Sequence, residues 1–482
     1  MGAFDYDAVV VGSGPNGLVA AITLAAAGAS VTVLEAKDSP GGGTRTAELT
    51  LPGFLHDVCS AIHPLGADSP AFRDLPLESL GLSWAEPEVQ AAHPLDDGSA
   101  GVLLRGVQET GEALGDVAGW RRLVGSTVER WDEITDHILR PPLRVPSHPL
   151  ALGAFGVRAM LPATLVGRRL LSTPQARGLW AGIAAHAIND LAKPFTTAAG
   201  LVLAGAGHVA GWPAAVGGSQ RITDALVAHL ESLGGSVQTG VEVRSTKDLP
   251  WTRAVLFDTT PAQLLRIAGP RIPERARARL ERFRQGSGSF KVDYATDGPV
   301  PWTNEECRRA GTVHLGGTME EVVLAERDVH EGRVPERPFV LVAQQSVMDP
   351  TRAPDGKQAV WAYCHVPHGS TVDVTDRIEA QIERFAPGFK DTVLARATTD
   401  PAGLEAYNAN YIGGDIAGGA TDGLQLVARP VASTHPYRSG SPGLWLCSAS
   451  TPPGGGVHGM CGKWAAEDAL AWLDMELSLI HI

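Results

Sequence analysis

The hexapeptide Gly12-Ser13-Gly14-Pro15-Asn16-Gly17 constrains this chain more than any other feature. It follows a nearly unbroken β-branched run, YDAVVVG at 6–12, which suits a strand buried on both faces of a parallel sheet. Behind it GLVAAITLAAAG, 17–28, reads as a tightly packed helix stopped by Gly28, and SVTVLEA, 30–36, as a second strand. In such a βαβ unit Gly12 permits the turn, Gly14 admits a pyrophosphate against the backbone, and Gly17 lets helix and strand close up. The free N–H groups and positive dipole end of the helix, with Pro15 and Asn16 at its approach, then face a phosphate. Glu35 ends the second strand 21 residues after Gly14, followed by Ala36. A carboxylate there accepts hydrogen bonds from both hydroxyls of a ribose and repels the 2′-phosphate of NADP.

A second glycine cluster, Pro40-Gly41-Gly42-Gly43-Thr44-Arg45-Thr46, lies just beyond that strand. Its glycines allow close backbone approach, and Arg45 is placed to pair with a pyrophosphate bidentately. An NAD-linked domain has no need of this loop, whereas an extended FAD does. Gly205-Ala206-Gly207 with Gly211 imitates a further dinucleotide site but follows no strand and leads into Trp212-Pro213, so helix packing and a turn are expected there. Without a second fingerprint, direct reduction by NAD(P)H is not expected, and oxygen or a quinone is left as electron acceptor.

With these residues in view, the segments GSGPNGLVAA, VLEAKDSPGGGTRTAEL and GFLHDVCSAIHP resemble the phytoene dehydrogenase-related branch of the amine oxidase and carotenoid desaturase superfamily. The likeness continues in GWPAAVGGSQRITDALVAHLESLGG, FKVDYATDGPVPW and LWLCSASTPPGGGVHGMCGKWAA, and so covers most of the chain. The resemblance implies FAD held by the N-terminal motif and by a C-terminal segment, Ser448 with Gly454-Gly455-Gly456-Val457-His458-Gly459, whose amides meet the isoalloxazine and ribityl chain. It also implies a strand near Val243 against the adenine. One departure is visible: carotenoid desaturases carry Arg directly after the glycine pair, and Gly43-Thr44-Arg45 shifts it. This bears on the substrate more than on the cofactor.

At 482 residues the chain needs more than one core. The expected fold is α/β: a discontinuous Rossmann-like FAD-binding domain with a parallel sheet, plus a mixed or antiparallel sheet substrate domain with a helical insertion. The FAD segments are set at 1–100, 216–275 and 441–476, the Leu/Ala/Trp-rich helical insertion at 101–215, and the substrate sheet at 276–440, where GSFKVDYA, RPFVLVAQQ and QAVWAYCHV are β-rich. A net charge of −13 argues against a nucleic-acid partner. Five cysteines without a CxxC pair suggest a reducing, cytoplasmic setting with no structural disulfide or metal site. Apolar stretches near 149–185 are interrupted by Arg and Pro, which allows peripheral membrane contact but no span. The terminal SLIHI is set aside as an apolar tag, and the sequence specifies no oligomeric state.

Among the histidines, His63 in CSAIHPLG and His458 in the glycine loop are the two placed to face a flavin, and His63 is the catalytic candidate. Phe290, Trp361 and Tyr363 on the β-rich segments, with Asn408 and Asp415 in YNANYIGGDIAGG, are assigned to the substrate pocket, Asn408 and Asp415 lining it or shaping its turns. The expected reaction is hydride abstraction from a C–C bond of a largely apolar, isoprenoid-like small molecule. Oxidation of a C–N bond, as in flavin amine oxidases, is one alternative. A binding protein of the Rab GDP-dissociation inhibitor kind is the other, disfavoured by intact glycine motifs at both ends.

Overall fold

The computed structural model describes residues 4–480, with side chains through Asp474, so the last residues of SLIHI lie outside the described residues. Five short strands form a wholly parallel sheet in the order Leu444–Leu446, Thr252–Phe257, Tyr6–Val11, Val31–Leu34, Ser236–Gln238. Ala8, Val9 and Val10 of the central strand, and Val33 and Leu256 on the strands beside it, are wholly buried, as a sheet covered on both faces requires. The helix Pro15–Ala26 packs on one face between Gln220–Ser232 and Met460–Ile480. Its contacts are close: a Cβ on Gly17 would lie 2.2 Å from the Gly12 carbonyl oxygen, and one on Gly462 only 1.8 Å from that of Asn16.

A second, seven-stranded sheet runs Val393–Thr399, Gly288–Thr296, Gln358–Val366, Val340–Ala343, Ala310–Leu315, Val89–Pro94, Ala100–Leu103. It is mixed, because Ala310–Leu315 and Val89–Pro94 pair in parallel while the remaining neighbours are antiparallel. Residues 89–103 therefore belong to this sheet, although the sequence assigned most of them to the first dinucleotide segment. Their alternation carries no mark of which sheet they join. One face of the sheet is apolar, with Phe290, Val292, Val313, Val342, Val360 and Ala362 packed under Ile378, Ile382 and Phe385 of the helix Thr375–Phe385.

The insertion is helical as expected, running from Val107–Ala113 to Thr196–Val209 with no strand between. Its glycines serve packing: a Cβ on Gly205 would lie 2.6 Å from the Trp131 ring and one on Gly207 2.6 Å from Leu103. The cysteines are buried and free. No group of three or more potential ligands for a metal ion occurs among the described residues.

Candidate active site

The C-terminal ends of the parallel strands, the helical insertion and the inner face of the mixed sheet enclose one continuous cavity of about 1120 Å³. Ligand sites usually occupy roughly 300–1,000 Å³. A volume above that range accommodates a dinucleotide together with a second molecule.

At the parallel-sheet end the cavity is lined by Gly12, Gly14, Pro15, Asn16, Glu35, Ala36, Gly42, Gly43, Thr44, Arg45 and Val243. The two glycine loops touch, since a Cβ on Gly42, whose φ is +55°, would lie 2.9 Å from the Gly14 Cα. Side chains there would fill the cradle. Glu35 stands just past the strand Val31–Leu34, and its Oε2 accepts from the Ser13 amide at 3.0 Å and hydroxyl at 2.5 Å. Its Oε1 accepts from the Lys37 amide at 2.9 Å. The carboxylate therefore shapes the first glycine turn, and any ribose shares it with Ser13.

Arg45 departs from expectation. Its guanidinium donates to the Ser39 carbonyl at 2.6 and 3.0 Å and to the Gly42 carbonyl at 3.2 Å, and lies 3.3 Å from Glu35. The turn through Gly41, at φ +128°, folds these carbonyls around it, so Arg45 ties the loop together and does not reach forward to pair with a phosphate. Val243 is buried on the cavity wall, but no strand forms there. The chain after Gln238 runs irregularly, held by the Val241 amide donating to the Glu35 carbonyl.

The residue the sequence did not single out is Asp258, just past the strand Thr252–Phe257. Its Oδ2 accepts from the Gly17 amide at 3.0 Å, and a Cβ on Gly14 would lie 2.5 Å from that oxygen. Gly14 thus admits a carboxylate of the chain itself as well as whatever ligand approaches. Burial, with the nearby Glu35 adding to it, pushes Asp258 up to about 7. Its position at a strand's C-terminal end, where open α/β sheets gather their binding groups, was the available signal. Tyr407 and Tyr411 were also passed over. The Tyr407 hydroxyl donates to the Gly42 carbonyl at 2.6 Å, and a Cβ on Gly43 would lie 2.4 Å from the Tyr411 hydroxyl.

The C-terminal loop brings Ser448, Gly455, Gly456, Val457 and His458 to the same cavity. Ser448 donates to the Thr259 carbonyl at 2.6 Å, joining this loop to the Asp258 strand. His458 accepts from the Met460 amide at 3.1 Å, and burial lowers it to about 4, so it is a neutral ring that braces the loop.

His63 lines the cavity and is 2% exposed. Its Nε2 lies 2.8 Å from the Ser219 hydroxyl, whose own hydrogen goes to the Ser60 carbonyl at 2.7 Å. Nε2 therefore carries the proton and donates, leaving Nδ1 a bare acceptor with no partner among the described residues. Burial lowers the ring to about 4. Beneath it the buried Arg352 bridges Asp57 and Asp349, each at 3.0 Å.

Trp361 and Tyr363 line the cavity, their rings 4.9 Å apart at 58°, and Asn408 joins them. Phe290 does not. Successive strand residues point to opposite faces, and the even-numbered side of Gly288–Thr296 turns to the apolar core under Thr375–Phe385. Asp415 is also off the wall: its carboxylate accepts from the amides of Gly286, Ala417 and Gly419, and so shapes a turn.

Residues 10–75 match the NAD(P)-binding Rossmann-like domain family. The chain is 27% identical to pyridine nucleotide-disulfide oxidoreductase domain-containing protein 2 of Rattus norvegicus, over 96% of this chain and 93% of that one. It is 27% identical to hydroxyneurosporene desaturase of Cereibacter sphaeroides, over 96% and 97%. The chain is an oxidoreductase, similar along most of its length to proteins named as carotenoid desaturases. A solved oxidoreductase from Methanosarcina mazei superposes with TM-score 0.65 at 16% identity, covering 96% of this chain and 99% of that one. Wild-type putrescine oxidase bound to putrescine superposes with TM-score 0.62 at 19% identity, covering 97% and 99%. The chain shares its fold with both solved structures. A short stretch of 56 residues, 12% of this chain and 11% of the other, is 62% identical to putrescine oxidase of Kocuria rosea.

Proposed function

We propose that the protein is an FAD-dependent dehydrogenase that oxidises a C–C single bond of a largely apolar small molecule to a double bond, one carbon giving up hydride to the flavin and its neighbour a proton to solvent, and passes the electrons to oxygen or a quinone. The observation that carries this is the single cavity running from the paired glycine loops and Glu35 to the sheet wall of Trp361 and Tyr363. The residues fit a dinucleotide: the cradle of Gly12, Gly14, Gly42 and Gly43 lacks the side chains that would fill it, and Glu35 stands where a ribose is read. FAD bound there supplies the hydride acceptor. The chain's own residues position and enclose. Gly455 and Gly456 bring backbone into the cavity, Val243 and Ala36 wall its far end, and Leu341, Trp361 and the insertion residues Phe155 and Ala159 keep water from the apolar part. His63 presents a neutral acceptor nitrogen.

C–N oxidation is the second reading, favoured by the local likeness to putrescine oxidase. A sequestering role has no support from relatives that are themselves named as desaturases and oxidases. We place the protein in the cytoplasm with access to a membrane face. The bent helix pair Pro149–Ala159 and Ala163–Leu170 exposes Leu150, Val157 and Met160 beside the cavity-lining Leu152 and Phe155, while no single described helix is long and apolar enough to cross a bilayer.

The test is direct. Purified protein should be yellow and release FAD, not FMN, on denaturation, and neither NADH nor NADPH should bleach it anaerobically. A colourless protein that cannot be reconstituted with FAD overturns the proposal. Rapid bleaching by a nicotinamide overturns the choice of acceptor.

A further inference from the structure

The inner face of the mixed sheet sets polar groups beside the apolar Leu341 and Ala343, which a hydrocarbon pocket does not require. Alternation puts Thr312, His314, Trp361, Tyr363 and His365 on the side opposite the apolar core of Val313, Val360, Ala362 and Cys364. Thr312, Trp361 and Tyr363 line the cavity, and His186 of the insertion joins them. Thr312 Oγ1, His314 Nδ1, Trp361 Nε1 and His365 Nε2 have no hydrogen-bond partner among the described residues, in side chains no more than 6% exposed. A buried polar group left so costs about 1–3 kcal/mol, and such groups are ordinarily rare. Here four share one face.

The chemistry of these groups narrows what they would meet. The Trp361 indole N–H can only donate, and the Thr312 hydroxyl is free to do so, so an acceptor oxygen suits both. The charges nearby are already engaged. Both Glu326 oxygens lie 2.9 Å from His365 Nδ1, and Lys291 donates to Asp293 at 2.5 Å. His186 and His314 face each other at 3.1 Å through their Nε2 atoms, sharing one hydrogen between two rings that burial keeps neutral. Neither a carboxylate nor an ammonium would find a counter-charge on this wall that is not already taken.

We infer that this wall is a hydrogen-bonding subsite for an uncharged oxygen function, a carbonyl or hydroxyl, borne by an otherwise apolar substrate, with Trp361 and Thr312 as the determinants of that specificity. The inference deepens the proposed function and rests on it only in taking the cavity as the substrate site. It gives the largely apolar substrate an oxygen function.

The experiment uses the holoprotein, with FAD loading established separately by its absorbance. Dissociation constants are measured calorimetrically for octane, octan-2-one, octan-2-ol, octanoate and octylamine. Octan-2-one and octan-2-ol should bind about tenfold tighter than octane, as one to two new hydrogen bonds allow. Octanoate and octylamine should bind more weakly than the ketone. Trp361→Phe and Thr312→Val should each reduce the preference for ketone over octane, taken as a ratio within each variant, about fivefold. Equal binding of ketone and octane, tightest binding of the acid or the amine, no ketone binding by FAD-loaded protein, or an unchanged preference in both variants overturns the subsite. The probe series on the parent protein decides the matter even if a variant fails to fold. Failure to hold FAD at all would instead count against the proposed function.

Discussion

Two single side chains decide how the cavity works. His63 has its Nε2 hydrogen committed to Ser219, and a ring lowered by burial to about 4 is a weak base at neutral pH. Its part is that of a hydrogen-bond acceptor, so His63→Ala should keep FAD bound and slow flavin reduction by a true substrate about tenfold, the worth of one hydrogen bond, and not the hundredfold or more of a lost general base. Stopped-flow bleaching measures the difference. A parental rate would make the residue purely structural. Asp258 raises a sharper question, because its carboxylate caps the helix end that the glycine motif reserves for phosphate. Its folded-state value, raised to about 7, means that it is neutral below that pH and charged above it. FAD affinity should therefore fall as pH rises through 7, by up to about tenfold per pH unit. Asp258→Asn keeps an acceptor for the Gly17 amide and removes the charge, so titrations of apoprotein with FAD from pH 6 to 9 should show tighter binding and a flatter profile. An unchanged slope in the variant would assign the pH dependence elsewhere.

At the scale of elements, what was legible depended on whether a pattern is local. The strand, glycine turn, helix and strand through Leu34 follow from periodicity and from Gly12, Gly17 and Gly28 alone, and they stand where expected. The two strands between Val89 and Leu103 join the mixed sheet without a local sign of it, because pairing in parallel with Ala310–Leu315 is a contact across more than two hundred residues. The same limit explains the site. Glycines announce close approach, but Arg45 turns back on Ser39, Phe290 turns to the outer core, and Asp258 arrives from a distant strand, all choices made by packing. The C-terminal glycine loop offers a test at this scale. A Cβ on Gly455 would lie 2.8 Å from the Ala417 carbonyl oxygen, whereas Gly454 and Gly456 hold left-handed φ values of +115° and +129°. Gly455→Val should push this loop off the segment around Ala417 at a cost of about 1–3 kcal/mol. FAD content, read as the ratio of flavin to protein absorbance, should fall while far-ultraviolet circular dichroism stays parental. Full flavin occupancy in the variant would remove the loop from the cofactor site.

For the molecule as a whole, the junction between insertion, mixed sheet and glycine loops is built with buried neutral histidines. Burial lowers His56 and His186 to about 3, His63, His93 and His458 to about 4, and His314 well below the ordinary 6.5. The unfolded chain takes up these protons near pH 6.5 and the folded one does not, so each ring costs about 1.4 kcal/mol per pH unit as the pH falls below 6.5, until its own folded value is reached. Carboxylates with raised values work in the opposite direction. Asp258, raised to about 7, and Asp293, raised to about 6, hold protons in the fold that the unfolded chain binds only near 3.8, so they favour the fold as pH falls through those values. Asp415 and Glu467 are raised as well, and six rings outweigh four carboxylates. The thermal midpoint should therefore be highest at pH 6.5 or above and fall steadily from 6.5 to 4.5. His93 supplies the control, since its Nε2 meets the Gly317 carbonyl at 2.6 Å and a glutamine amide can take over that donation without titrating. His93→Gln should lose less of its thermal midpoint than the parent over the same range, by about the share of one proton. A midpoint that stays level or rises on acidification in the parent protein would show that the histidines are hydrated, not buried, and that the junction is open in solution.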